Sequence, residues 1–227
     1  MYILLLILIA IAFLWSAFSY YFERSIEVSK YSLLGQKNNY EIRQYPAYLA
    51  AQTEIMGNYN QASNQGFRIL ADYIFGNNLK KANLGMANPL AANRLLYPEP
   101  IEMTAPVSIV KKENEKISMT APVIQTSTTD DKVRVISFIM PSKYTLDTLP
   151  VPNSPKVKIV AVPEKKRAVL KFSWYATASR VEQKKQELLD YLKKDGVVII
   201  SGPEIARYNA PFSAPWMNRN EVLAEVK

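Results

Sequence analysis

Residues 3–22, ILLLILIAIAFLWSAFSYYF, carry no charge. A run of about 20 such residues, at 1.5 Å rise, matches the roughly 30 Å hydrocarbon thickness of a bilayer. In lipid a lone segment must satisfy its own backbone hydrogen bonds, so the run is predicted to be an α-helix that spans. Trp15, Tyr20 and Tyr21 gather toward its C-terminal end, where amphipathic rings favour the headgroup level, and Glu23-Arg24 terminate it. A cleaved signal peptide is the rival reading. It would carry a basic n-region, whereas only Met1 and Tyr2 stand before the apolar stretch, and Ala17-Phe18-Ser19 is a poor cleavage site. Residues 1–24 are therefore expected to be a single-pass anchor in a bacterial inner membrane. Arg24, Lys30 and Lys37 follow it, which by the positive-inside rule favours a cytoplasmic domain.

The remaining stretch, roughly 200 residues, suits one domain with a sizeable core. Residues 25–39 are mixed and polar and read as a juxtamembrane connector; the domain is expected over 40–227. With 48% hydrophobic and 21% charged residues the composition is that of a globular chain. Cysteine and histidine are both absent, which removes disulfides, thiolate chemistry, imidazole metal sites and every catalytic arrangement built on a histidine base. Only 7 glycines occur, with no phosphate-loop or dinucleotide fingerprint. Lys+Arg 28 against Asp+Glu 20 gives a net charge of +8, but the cations lie in short pairs such as Lys80-Lys81 and Lys193-Lys194, read as solvated surface rather than a nucleic-acid footprint.

Alternation in Tyr40 to Tyr45 predicts a strand, interrupted by Pro46 and resumed over Tyr48 to Ile55. Asn58 or Asn60 is placed to cap a helix whose apolar residues Phe67, Leu70, Ala71 and Ile74 share one face, with Gly76 as its stop. A second helix is predicted from the capping box Ser179-Arg180-Val181-Glu182 through Leu188, Leu189 and Leu192 to Lys193-Lys194. Short β-prone runs lie at Ile117 to Gln125, Val133 to Ile139, Val157 to Val162, Ala168 to Trp174, Val197 to Ile200 and Val222 to Val226.

One element occurs twice: Ile101-Glu102-Met103-Thr104-Ala105-Pro106-Val107 returns as Ile117-Ser118-Met119-Thr120-Ala121-Pro122-Val123, with a weaker echo at Met86-Ala87-Asn88-Pro89-Leu90. Each copy reads as a turn and strand in which proline fixes φ, its predecessor is extended and methionine fills an apolar gap. With Tyr40-Glu41-Ile42-Arg43, Tyr73-Ile74-Phe75-Gly76, Phe138-Ile139-Met140-Pro141 and Arg219-Asn220-Glu221-Val222, these landmarks resemble the SOUL haem-binding family from Tyr40 to Lys227. The resemblance implies an α+β fold, a distorted antiparallel β-barrel with two flanking helices and pseudo-two-fold halves, here preceded by one transmembrane helix.

It also implies a non-enzymatic protein that holds haem or another tetrapyrrole non-covalently in a hydrophobic cleft without an axial histidine, as buffer, carrier or sensor. Carried onto this chain, the cleft would use Phe67, Arg68, Leu70, Ala71 and Ile74 from the first helix. Phe212, Trp216, Met217 and Arg219 would come from the loop before the last strand. Flat apolar ligands suit aromatic walls. For the helix stripe, simple core packing is the ordinary alternative; for Arg219 it is a salt bridge to Glu221. The M-T-A-P-V copies read as structural, although Met103 and Met119 could ligate iron. Asp130-Asp131 read as a solvated turn. A second function keeps the fold without haem, as a sensor of another amphipathic molecule or a protein-interaction scaffold.

Overall fold

The computed structural model describes residues 2–81, 114–128 and 132–227. The first M-T-A-P-V copy, the Met86 to Leu90 echo and Asp130-Asp131 lie outside them. Helix α1 covers Tyr2–Glu23, α2 Tyr59–Ile74 and α3 Ala178–Lys194. The strands, in chain order, are β1 (Glu27–Val28), β2 (Ser32–Gln36), β3 (Glu41–Tyr45), β4 (Tyr48–Met56), β5 (Asn78–Leu79), β6 (Thr120–Ala121) and β7 (Val123–Ser127). They continue with β8 (Val133–Ile139), β9 (Val151–Pro152), β10 (Lys158–Val162), β11 (Lys165–Phe172), β12 (Ile199–Arg207) and β13 (Asn220–Val226). The fold is thus α+β, with helices packed on a curled antiparallel sheet.

Nine strands form that sheet in the order β10-β4-β8-β7-β12-β13-β11-β3-β2. Every pairing in it is antiparallel, and the outer strands β10 and β2 have no hydrogen-bonded partner beyond the sheet among the described residues, so the barrel is a half-barrel. The order contains the pseudo-two-fold. β3-β4-α2-β7-β8 and β10-β11-α3-β12-β13 repeat one connectivity, meet at the β7·β12 seam, and exchange their first strands: β3 pairs with β11, and β10 with β4.

Helices α2 and α3 both lie on the sheet. Leu70, Tyr73 and Ile74 of α2 pack on Ala51, Ile136 and Phe138, and Val181, Leu188 and Leu192 of α3 pack on Leu170, Val222 and Ala224. A third cluster, away from both helices, holds Tyr45, Ile124, Val169, Tyr208 and Leu223. Beside it sits a fully buried ion pair, Arg43 to Glu221 at 2.9 Å, to which Tyr208 donates a hydrogen bond at 2.7 Å.

The helix starts follow local chemistry. Asn58 caps α2, its side chain accepting from Gln61 N while Gln61 reaches back. The expected cap of α3 moves two residues upstream: Thr177, not Ser179, accepts from Arg180 N, because the helix already begins at Ala178. Residues expected to be connector contribute β1 and β2; β2 pairs with β3, and β1 runs parallel to β6 of the second M-T-A-P-V copy.

Candidate functional site

Two cavities stand out. One, of about 360 Å³, lies between β1 and the β3–β4 turn and is lined by Tyr45, Tyr48, Thr120, Met140 and Pro141 among others. The other, of about 500 Å³, lies beside the outer edge of α2. It is built from both halves of the domain. Asn60, Ser63, Asn64, Phe67 and Arg68 come from α2, Val123 from β7, and Tyr175 to Thr177 from the β11–α3 connection. Arg207 at the end of β12, Asn209 to Pro211, Asn218 and Asn220 complete it.

Its wall is anchored from below. Ser63 donates to Gln125 Oε1 at 2.7 Å, Gln125 donates back to Tyr59 O at 3.3 Å, and Arg207 donates to the Ser63 hydroxyl. Arg207 also lies over the Tyr59 ring at 5.9 Å. Burial pushes the Tyr59 phenol above its ordinary value against the opposing pull of Arg207 and Arg134. Phe67 packs edge-on against Phe138 at 5.3 Å, which fixes it as the apolar wall.

The described arginines divide into paired and unpaired, and the two of the cleft share the unpaired state with Arg24, Arg134 and Arg180 elsewhere. Arg43, Arg167 and Arg219 each face a carboxylate. Arg68 and Arg207 form no ion pair among the described residues, and Arg207 Nε and Asn218 Oδ1 are buried without a hydrogen-bond partner. Two guanidinium groups without counter-ions on one cleft attract an anion. A tetrapyrrole with carboxylate arms fits this donor set: aromatic rings on facing walls at Phe67 and Tyr175, cations at Arg68 and Arg207, and a buried donor with no partner. Tyr175 is the residue among the described lining that could ligate iron.

The structure distributes the residues expected from the sequence over three places. Phe67 and Arg68 line the cleft. Leu70, Ala71 and Ile74 turn inward and are buried in the core. Phe212 and Trp216 leave the cleft for α1: Phe212 lies tilted against Phe18 at 5.9 Å and edge-on to Phe22 at 4.8 Å, and Trp216 meets Trp15 edge-on at 5.5 Å. Met217 sits in the 3-10 turn Pro215–Met217, half-buried. Arg219 pairs with Glu221 at 2.8 Å and covers the Tyr208 ring at 4.0 Å; burial disfavours its charge, but Glu221 outweighs that and raises its pKa. Arg207 and Tyr175 were not anticipated. Arg207 lies beyond the β-prone run Val197 to Ile200 and carries no sequence signal, and the Ser201-Gly202-Pro203 stretch between them reads as a turn.

The sequence profile described as "SOUL heme-binding protein" matches residues 26–115 and 109–225. No curated protein matches the chain. Among solved structures, the EcmrR C-terminal domain is 7% identical with a TM-score of 0.52, over 87% of this chain and 98% of that one. A hydrolase from Listeria innocua is 11% identical with a TM-score of 0.47, over 86% and 94%. At such identities the likeness is one of fold.

Proposed function

The chain belongs to the SOUL haem-binding protein family, and from that premise we propose that it is a membrane-anchored tetrapyrrole-binding protein whose ligand occupies the cleft beside α2. Haem or tetrapyrrole binding is the general property of the family; the cleft, the tether and the lack of an axial histidine are particular to this proposal. The observation that carries it is the pairing of aromatic rings on facing walls with two guanidinium groups that lack carboxylate partners among the described residues. Phe67 and Tyr175 would cover the macrocycle, and Arg68 and Arg207 would hold its carboxylates. Bound haem would supply a redox-active iron, and the chain's own residues would supply shape, charge and partial exclusion of water. The proposal is one of binding, as buffer, carrier or sensor.

The anchor is α1, long and apolar enough to cross a bilayer, with Arg24, Lys30 and Lys37 favouring a cytoplasmic domain. Titrating the detergent-solubilised full chain with haem and with metal-free protoporphyrin IX tests the cleft. Both are expected to bind with similar affinity. Phe67→Ala and Arg207→Gln are each expected to weaken both ligands, the latter by about 1–3 kcal/mol for the lost charged hydrogen bond. A Soret shift absent on titration, or binding unchanged in the Phe67→Ala/Arg207→Gln double variant, would overturn the assignment.

A further inference from the structure

The last two turns of α1 are not free. Trp15 Nε1 donates to Phe212 O at 2.9 Å, Trp216 Nε1 donates to Ser16 Oγ at 3.1 Å, and Ala214 N donates to Ser19 Oγ at 2.9 Å. At the end of the helix Glu23 accepts from Asn209 Nδ2 at 2.6 Å and from the Ser213 hydroxyl. Ser19 is fully buried at this contact, in a helix otherwise largely exposed. The loop between β12 and β13 therefore grips α1 from Trp15 to Glu23, a span of about 12 Å along the axis.

That span conflicts with a domain standing wholly in water. Helix α1 has 22 residues, about 33 Å, and needs nearly all of them to cross roughly 30 Å of hydrocarbon. Its last two turns must then lie in the outer hydrocarbon and up to the headgroup boundary, and whatever grips them lies there too. The gripping surface suits that level. Phe212 and Trp216 are 47% and 40% exposed, and beside them Trp174 and Tyr175 are 50% and 54% exposed, held there by the Trp174 N–H donating to Pro215 O at 3.1 Å. All 3 tryptophans of the chain thus gather at one end, where bilayers favour amphipathic rings. The polar groups at the contact bond to one another, as a low-dielectric setting requires.

We propose that Trp174, Tyr175, Phe212 and Trp216 form an aromatic collar around the end of α1 that seats the domain directly in the interfacial layer of a phospholipid bilayer. The domain is a lipid-binding surface in its own right, at a fixed orientation, and not a globule on a free tether. Tyr175 and Pro211 belong both to the collar's loops and to the cleft, so the cleft opens at the lipid surface, where an amphipathic ligand dissolved in the membrane reaches it without crossing water. The inference rests on the reading of α1 as a membrane span.

Incorporating 5-fluorotryptophan into the unsubstituted full chain in phosphatidylcholine/phosphatidylglycerol nanodiscs gives one fluorine resonance per tryptophan. Lipid carrying a nitroxide high on its acyl chain is expected to broaden all of them, and an aqueous gadolinium chelate to leave them sharp. Broadening of Trp15 alone, with Trp174 and Trp216 broadened by the chelate, would overturn the collar while leaving the anchor standing. If the lipid nitroxide broadened none, the anchor reading would fall and the collar with it.

Discussion

Gly66 lies in the middle of α2 where the helix crosses β8, and replacing it with alanine sets two effects of opposite sign against each other. Alanine is the better helix former, which by itself would stabilise the helix by about 0.5–1 kcal/mol. Its Cβ, however, would stand 2.3 Å from Ile136 Cγ1 and 2.8 Å from Ile136 Cβ. Ile136 is fully buried, and its Cβ is fixed by the strand, so relief requires α2 to lift from the sheet. Overpacking of this kind costs about 1–3 kcal/mol, and contacts this short place the cost toward the upper end. The net expectation is destabilisation by about 1–2 kcal/mol, a fall in Tm of roughly 2–8 °C for a domain of this size.

Ile136→Ala alone is expected to cost about 2–5 kcal/mol, but it removes the Cγ1 atom that the added methyl group of Gly66→Ala would strike. The 2.8 Å approach to Cβ remains, so the double variant should be more stable than the sum of the two losses implies by an amount toward the lower end of about 0.5–3 kcal/mol. Near-UV circular dichroism during thermal and urea denaturation of the full chain in detergent reads all four proteins. Because Phe67 and Arg68 follow directly, tetrapyrrole affinity should fall with Gly66→Ala as α2 moves. A Gly66→Ala protein as stable as the parent, or strictly additive losses, would refute the close approach of helix and sheet.

Glu221→Gln should destabilise by about 3–5 kcal/mol, because Arg43 then loses its fully buried counter-charge and keeps only Glu41; an unchanged melting midpoint would contradict it. Thr177→Ala should cost about 1 kcal/mol and speed hydrogen exchange at the Arg180 amide, the group the threonine caps. The hydrogen bond from Lys165, against the opposing effect of burial, holds the Glu225 carboxyl below its ordinary value. A depressed folded-state pKa contributes stability that is present above the unfolded value near 4.5 and lost as pH falls through the folded value. Glu225→Gln should therefore lose stability near pH 7 and flatten the acid limb of the stability profile, as urea denaturation at a series of pH values would read.

The sequence showed the elements whose period is enforced by burial on one side. The α2 stripe emerges where it was expected because the sheet buries that face, and Val133 to Ile139 emerges as a β-branched run whose end is buried on both faces of the sheet. The segment Ser32–Gln36 escaped because it is the outermost strand and exposed along nearly its whole length, so no apolar alternation marks it. β12 continues past Ile200 through Ser201-Gly202-Pro203 by register shifts between Ile199 and Ser201 and between Ser201 and Glu204. Bulges admit residues that sequence patterns read as a turn. The pair Arg219–Glu221 could be anticipated as a near neighbour in the chain. The second cation on Glu221, Arg43 from β3, could not, since β3 reaches β13 only through the exchange with β11. Phe212 and Trp216 illustrate the same limit: aromatic loop residues signal contact with something apolar, but only the tertiary fold says that α1 is that surface.

The pseudo-two-fold gives α2 and α3 equivalent positions, yet their outer faces differ. On the outer face of α3 two lysines pair with acids one turn away, Lys184 with Glu187 at 2.6 Å and Lys185 with Glu182 at 3.8 Å, as on a solvated surface. On α2, Arg68 lines the cleft with no ion pair among the described residues. The cleft thus lies on one of two symmetric helices, while the facing wall, Tyr175 to Thr177, Arg207 and Asn209 to Pro211, is borrowed from the other half. The exchange of β3 and β10 is what makes that borrowing durable. Neither half can separate without breaking the pairing of its first strand with the other half, so the cleft at their seam is held in shape by the ladders β3·β11 and β10·β4 as well as by the seam itself.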